Sequence, residues 1–152
     1  MRIWIDNDGC PRIVREIVLK TAERRNLEVT VVGNSYTRLP VHPRFKMEVV
    51  SGDFDAADDF IVAGVQPRDL VVTSDVPLAG RIVAIGAWGI SSHGVVFDQH
   101  NIGERLATRN LLQELRSGGE VFGGPPPFGE AEKKKFADAF DRLVTNLMKG
   151  SS

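Results

Sequence analysis

The sequence predicts an α/β fold in which a mainly parallel sheet lies between two layers of helices. Short apolar runs rich in β-branched residues alternate along the chain with longer segments whose apolar residues recur at helical spacing. The alternation covers most of the length and contains no internal repeat. Because alternating strands and helices form parallel sheets with helices on both faces, we expect a three-layer α/β/α sandwich.

Six segments have the pattern of strands. The first, residues 3–5, is apolar and stops abruptly at Asp6, as a buried strand does where it enters a polar loop. The second, residues 27–32, is rich in β-branched residues and ends at Gly33. The other predicted strands are residues 46–50, 69–73, 88–90 and 95–97.

Five segments have the pattern of helices. Pro11 and Pro77 each suit the first turn of a helix, and Asp55 opens another. The predicted helices are residues 11–22, 55–64, 77–86, 101–117 and 130–148. The fourth is expected to bury Ile102, Leu106, Leu111, Leu112 and Leu115. A loop rich in Gly and Pro is predicted for residues 118–129, and a disordered tail for residues 149–152, so a single domain spans residues 1–148.

Composition narrows the class of protein. A chain of 152 residues with 42% hydrophobic and 26% charged residues fits one globular domain. A net charge of -1 excludes a protein that coats nucleic acid by charge alone. One cysteine forms no internal disulfide, and no apolar run is long enough to span a membrane. The default expectation is a soluble cytoplasmic protein with no membrane partner.

Acidic residues follow the predicted strands. Asp6 and Asp8 come directly after the first strand and Asp75 after the fourth, while Asp55 and Asp58 lie at the start of the helix after the third. In a parallel sheet the ligand site lies outside the carboxyl ends of the strands, so these five carboxylates can gather at one edge. Crowded carboxylates repel one another unless they are protonated or bridged by a cation. Mg²⁺ or Mn²⁺, which prefer oxygen ligands, are the expected cations.

Helix capping is the alternative explanation for part of this pattern. Asp55 with Asp58 can form a variant capping box, and Asp75 before Pro77 can be an N-cap. Two acids directly after one strand exceed what a single cap needs, and this favours the metal site.

Four motifs extend the argument beyond single residues. Together they resemble the bacterial YaiI/YqxD family, which is assigned to the PIN-like nuclease superfamily, and they cover nearly the whole chain in order. The motifs are Asp6-Asn7-Asp8-Gly9-Cys10-Pro11, Phe54-Asp55-Ala56-Ala57-Asp58, Leu70-Val71-Val72-Thr73-Ser74-Asp75-Val76-Pro77-Leu78-Ala79 and Gly123-Gly124-Pro125. The resemblance implies a PIN-like fold and, by analogy with the superfamily, metal-dependent hydrolysis of RNA or another nucleic acid.

The resemblance also assigns residues. Asp6 matches the first-strand acid of PIN-like sites, Asp58 the acid on the central helix and Asp75 the acid of a Thr-x-Asp motif. Asp8 and Asp55 belong to the family's own motifs. We therefore predict a metal-dependent phosphodiester hydrolase with all five acids as metal ligands, and with Asp6, Asp8, Asp58 and Asp75 as catalytic residues.

Two other functions stay open at this point. Asp6-Asn7-Asp8 also resembles the Asp-x-Asp motif of haloacid-dehalogenase-like phosphatases, with Asp6 as the nucleophile and Asp8 as acid/base. That family also has a second acidic motif, which should come after a strand that ends in Thr or Ser. Here the acidic residues that could form this motif come before the strand that ends at Thr73, and this order argues against the family. A non-catalytic RNA-binding module is the other alternative.

Three further residues are candidates for contacting the substrate, which is expected to be RNA. Asn34 ends the second strand at the same edge, and Arg105 and Arg109 share one helix face and can grip phosphates. A turn for Asn34 and a solvated or ion-paired face for the arginines are the alternatives. Cys10 is predicted to be a buried packing residue rather than a nucleophile. The near-neutral charge suggests modest affinity for nucleic acid, so a homodimer or an assisting protein is a further expectation.

Overall fold

The computed structural model describes residues 1–52, 55–117 and 128–150. The strands are Arg2–Asp6 (β1), Glu28–Gly33 (β2), Phe45–Val49 (β3), Leu70–Val72 (β4), Trp88–Ile90 (β5) and Val96–Phe97 (β6). The helices are Arg12–Arg25 (α1), Ala56–Gly64 (α2), Val76–Ile85 (α3), Ile102–Ser117 (α4) and Glu130–Lys149 (α5). Each of these elements is predicted from the sequence, with bounds shifted by a few residues at most. Most of the predicted Gly/Pro loop and the last two residues of the predicted tail lie outside the described residues.

The six strands form one sheet in the order β3-β2-β1-β4-β5-β6. All neighbouring pairs are parallel except β5 and β6, which are antiparallel. The chain builds outward from β1 to β3 and then returns through α2 to β4, on the other side of β1. The strand order therefore reverses between β1 and β4, and their carboxyl ends flank the crevice where open α/β sheets bind ligands.

Helices cover both faces of the sheet, which confirms the three-layer sandwich. Along β1, Ile3 and Ile5 point to one face and Trp4 to the other, as the alternation of strand side chains requires. The first face packs against α1 and α5, where Phe136 and Phe140 stack at a centroid distance of 5.3 Å. The second face packs against α2 and α3. Among the described residues, no helix combines the length and apolarity needed to cross a membrane.

The predicted buried face of α4 is wrong at Leu111 and Leu112, whereas Leu115 is half-buried. Ile102 packs against the second core and Leu106 lies beside Gly80 of α3, as predicted. Leu111 and Leu112, however, are 56% and 39% exposed. The reason is that α4 packs on α3 rather than directly on the sheet, so only a short apolar stripe meets a partner.

Candidate functional site

A cavity of about 320 Å³ opens at the carboxyl ends of β1 and β4, at the reversal of strand order. Four of the five predicted metal ligands line it, and so does Asn34. These four acids are Asp6, Asp8, Asp58 and Asp75. Residues that lie far apart in the sequence thus meet in one concave site, because parallel strands bring their carboxyl ends to the same edge.

Thr73 connects two of the acids. Asp6 is the last residue of β1, and Thr73 directly follows the neighbouring strand β4. The Thr73 hydroxyl donates a hydrogen bond of 2.8 Å to Asp6 Oδ2 and accepts one of 3.0 Å from the backbone N–H of Asp75. Since Thr73 is only 3% exposed, this hydroxyl fixes the Asp6 carboxylate from inside the protein.

The loop between β1 and α1 positions Asp8. Gly9 has a φ of 84°, a conformation that favours glycine and turns the chain into the helix. The Asn7 side chain holds the loop, accepting from Arg15 at 2.9 Å and donating to Thr37 Oγ1 at 2.9 Å. Both Asp8 oxygens accept from the backbone N–H of Asn34 at 3.2 Å. Asn34 therefore supports Asp8 through its backbone.

The capping alternative is confirmed for Asp75 and not for Asp55. Asp75 is the N-cap of α3, and its Oδ1 accepts from the Leu78 backbone N–H at 3.1 Å. The same carboxylate lines the cavity, so capping and a role in the site coexist. Asp55 occupies the N-cap position of α2 without a side-chain capping bond. It is exposed and is not among the residues that line the cavity.

The pKa values of two carboxylates in the cavity, Asp6 and Asp58, are raised. Burial raises the pKa of Asp6 from 3.8 to about 6, against the hydrogen bond from Thr73, and the like charges of Asp58, Asp75 and Asp8 raise it further. Burial also raises the pKa of Asp58, with Asp75 and Asp55 adding to the shift and Arg81 opposing it. The carboxylates are therefore close enough to repel one another appreciably.

The four acids that line the cavity are chemically suited to bind a hard divalent cation. All four acids offer carboxylate oxygens, the ligand type that Mg²⁺ and Mn²⁺ prefer, and a cation would relieve their mutual repulsion. Within residues 1–52, 55–117 and 128–150, no three His, Cys, Asp or Glu side chains converge closely enough to hold one ion as they stand. Asp8 and Asp75 accept from backbone N–H donors instead. To bind one ion together, the acidic side chains would have to move closer to one another.

Sequence reasoning does not select three hydroxyl residues that build the site. Besides Thr73, Ser74 and Ser92 line the cavity, and the Ser92 backbone N–H donates to Ser74 Oγ at 3.2 Å. Each follows the carboxyl end of β4 or β5. The same positional signal that identifies the acids would have identified these hydroxyls.

Cys10 also borders the cavity but is a poor nucleophile. It is half-buried, and burial raises the pKa of its thiol to about 11, although Arg15 opposes the shift. At pH 8 we expect Cys10 of the folded protein to react with a chromogenic disulfide reagent at least about tenfold more slowly than free cysteine, because the thiolate is the reacting species and its higher intrinsic nucleophilicity offsets only part of its lower population. The denatured chain, with the same single thiol, is the control. Equal rates in the folded and denatured protein would contradict the packing role.

Arg105 and Arg109 lie outside the acidic cavity. Both line a second cavity of about 800 Å³ between the β5–β6 turn and α4. Ser74 lines both cavities, so the predicted phosphate-binding residues adjoin the acids without entering their site.

Fold and site define an α/β sandwich with an acidic cavity at its topological switch point. Residues 4–146 match the family described as "Uncharacterized BCR, YaiI/YqxD family", and the chain belongs to this family. A UPF0178 protein of Pseudomonas fluorescens strain Pf0-1 is 46% identical over 151 residues, which cover 99% of this chain and 100% of that protein. A UPF0178 protein of Geobacter metallireducens is 45% identical over 151 residues, covering 98% of this chain and 96% of that protein. The family resemblance in the motifs is thereby confirmed.

Proposed function

We propose that this protein is a metal-dependent, PIN-like hydrolase of phosphodiester bonds in nucleic acid, with RNA as the first candidate substrate. The observation that supports it is the meeting of Asp6, Asp8, Asp58 and Asp75 in one cavity at the switch point of the sheet. Three of these acids belong to two neighbouring strand ends, and the fourth comes from α2. A caps-only explanation does not account for Asp6 and Asp8, since neither caps a helix.

The principal ligands would be Asp6, Asp58 and Asp75, with Asp8 placed to complete the set or to orient water. A bound Mg²⁺ or Mn²⁺ would polarise the phosphoryl oxygens and lower the pKa of a coordinated water. The chain's own contribution is positional. Thr73 holds Asp6 in place through its hydroxyl, and it links Asp6 to the backbone that carries Asp75. This shared support keeps two of the acids in a fixed relation across β1 and β4.

The proposal predicts that single acid-to-amide substitutions abolish hydrolysis. Asp6→Asn or Asp58→Asn should lower Mn²⁺-dependent cleavage of a labelled single-stranded RNA at least about 100-fold, because each removes a charge that a divalent ion requires. Calorimetric titration with Mn²⁺ should show binding to the wild type and loss of binding in Asp6→Asn. Asp138→Asn, an exposed acid on α5, is the charge-matched control and should retain both properties.

The same assay separates the alternatives. Hydrolysis of a phosphomonoester with phosphate trapped on Asp6 would contradict the proposal in favour of a phosphatase. RNA binding without Mn²⁺ binding or cleavage, including a titration repeated with an oligonucleotide present, would contradict it in favour of a binding module.

A further inference from the structure

We propose that the second cavity binds the nucleoside adjoining the phosphate in the acidic cavity, so that the ligand is a single-stranded nucleic acid. This inference rests on the proposed function and specifies its substrate class. The occupant is defined by three features of the cavity, namely its continuity with the acidic site, its mixed apolar and polar walls, and the cations at its rim.

The acidic cavity and the second cavity adjoin each other at the carboxyl ends of β4 and β5. Ser74 lines both cavities, and Ser92 of the acidic cavity is flanked in the chain by Ser91 and His93 of the second. A chain of nucleotides with one phosphate at the acids can therefore place its next nucleoside in the second cavity without crossing a strand.

The walls suit a nucleobase. The volume of about 800 Å³ lies within the range of small-molecule sites, about 300–1,000 Å³. Apolar and aromatic side chains form one part of the lining, and these are Val76, Val95, Phe97 and Leu112. His93 also lines the cavity, and the face of a base can contact this apolar and aromatic wall.

The rim carries positive charge from two arginines of α4. Arg105 and Arg109 are exposed and one turn apart on α4. Among the residues that the structure describes, neither forms an ion pair, including with Glu104 or Glu114. Guanidinium groups bind phosphates and stack on bases, so this rim complements the backbone of a strand that passes beside the acidic cavity.

Single strands are expected because a base must leave its stack to enter the cavity. In a duplex the bases are paired and stacked, and their faces are inaccessible. A blunt duplex of the same sequence should therefore bind weakly.

The test measures binding without catalysis. Fluorescence anisotropy of a labelled single-stranded hexaribonucleotide is followed in EDTA, with every variant in the Asp6→Asn background. Arg105→Ala/Arg109→Ala should weaken binding at least about tenfold and reduce the salt slope by about 0.7 for each phosphate that the variant no longer neutralises. Lys20→Ala/Arg24→Ala removes the same charge from exposed positions on α1 and should change little. Thermal unfolding verifies that each variant is folded.

The base is tested separately from the charge. One abasic nucleotide is placed at each position of the hexaribonucleotide in turn. At the position whose base occupies the second cavity, it should weaken binding about tenfold or more, the range expected when one stacked base is removed. Thr108→Trp fills the cavity without removing charge, and it should reduce binding of the intact strand to that of the abasic strand. Equal affinity of the Arg105→Ala/Arg109→Ala variant and the Lys20→Ala/Arg24→Ala control would overturn the inference. Equal affinity of the intact strand and of abasic strands at every position would overturn it as well. Equally tight binding of the duplex, or of a free mononucleotide, would also overturn it.

The outcomes separate this inference from the proposed function. Binding with the expected pattern but no hydrolysis by the wild type would overturn the hydrolase and leave the nucleoside site in place. Hydrolysis that depends on Asp6 but is unaffected by the arginine and Thr108 substitutions would overturn only the nucleoside site.

Discussion

Asp69→Ala is expected to lower the free energy of unfolding by about 3 kcal/mol. Asp69 is 4% exposed and lies at the amino end of β4, at the edge of the sheet opposite the acidic cavity. Its Oδ1 accepts from the Arg2 backbone N–H at 3.0 Å. Its Oδ2 accepts from Trp4 Nε1 at 3.1 Å and from the Gln66 backbone N–H at 3.0 Å.

The loss is large because alanine leaves three donors without their acceptor. The Trp4 indole N–H is buried, so water does not replace the carboxylate there. Trp4 also has little freedom to move, since a Cβ on Gly64 would approach its ring to 2.5 Å. Asp69 thus fixes the orientation of a ring that packs directly beneath α2.

Urea unfolding followed by far-UV circular dichroism measures the effect. Asp69→Asn keeps the volume and one acceptor oxygen, so its loss should be smaller than that of alanine. Asp138→Asn on the exposed side of α5 should stay within about 0.5 kcal/mol of the wild type. A loss below about 1 kcal/mol for Asp69→Ala would show that the three hydrogen bonds do not hold this edge together.

Asp6→Asn is expected to have the opposite effect on stability from Asp69→Ala. It should raise the free energy of unfolding by about 2 kcal/mol at about pH 8 without metal. The pKa of Asp6 is about 6 in the folded protein, against 3.8 as its ordinary value, a difference that corresponds to about 3 kcal/mol without solvent screening. Because the carboxylate is only half-buried, solvent screening reduces the expected effect to about 2 kcal/mol. The folded state thus binds this proton more tightly than the unfolded state. Above pH 6 the charged carboxylate destabilises the fold, and asparagine removes that cost while its oxygen still accepts from Thr73.

The pH dependence identifies the cause. Between about pH 4 and pH 6 the wild type should lose stability relative to Asp6→Asn as pH rises, because the unfolded state gives up its proton first. The difference should be near zero at about pH 4 and complete above about pH 7. Adding Mn²⁺ at about pH 8 should narrow it by stabilising only the wild type. Asp6→Asn could instead be less stable than the wild type by the same amount at about pH 8 and at about pH 4. That result would contradict the charge repulsion on which this expectation depends.

Together the two aspartates separate structure from function. Asp69 is surrounded by N–H donors and stabilises the fold. Asp6 lies near other carboxylates, and its charge is expected to lower the stability of the fold, as is typical of residues kept for binding rather than for folding.

The amino-acid sequence determined the layers and most of the site. Short continuous apolar runs rich in β-branched residues, and a periodicity of about 3.6 in the longer segments, are local properties, so strands and helices could be assigned without contacts. Asp6, Asp8 and Asp75 follow strands directly, and the parallel sheet implied by the alternation brings such residues to one edge. The structure has all three of these residues in the lining of one cavity.

Only the tertiary structure decided which neighbours those residues meet. Asp55 and Asp58 belong to the same motif, yet only Asp58 lines the cavity. Asp55 is the exposed, non-helical N-cap position of α2, whereas Asp58 lies in the first turn of the helix. Leu111 and Leu112 fit an apolar face of α4 but are exposed in the structure. The role of Asp69 depends on Trp4, which lies 65 positions away in the sequence. Periodicity specifies which face of an element is apolar, whereas the partner of that face depends on strand order and loop conformation, which are set by contacts between distant parts of the chain.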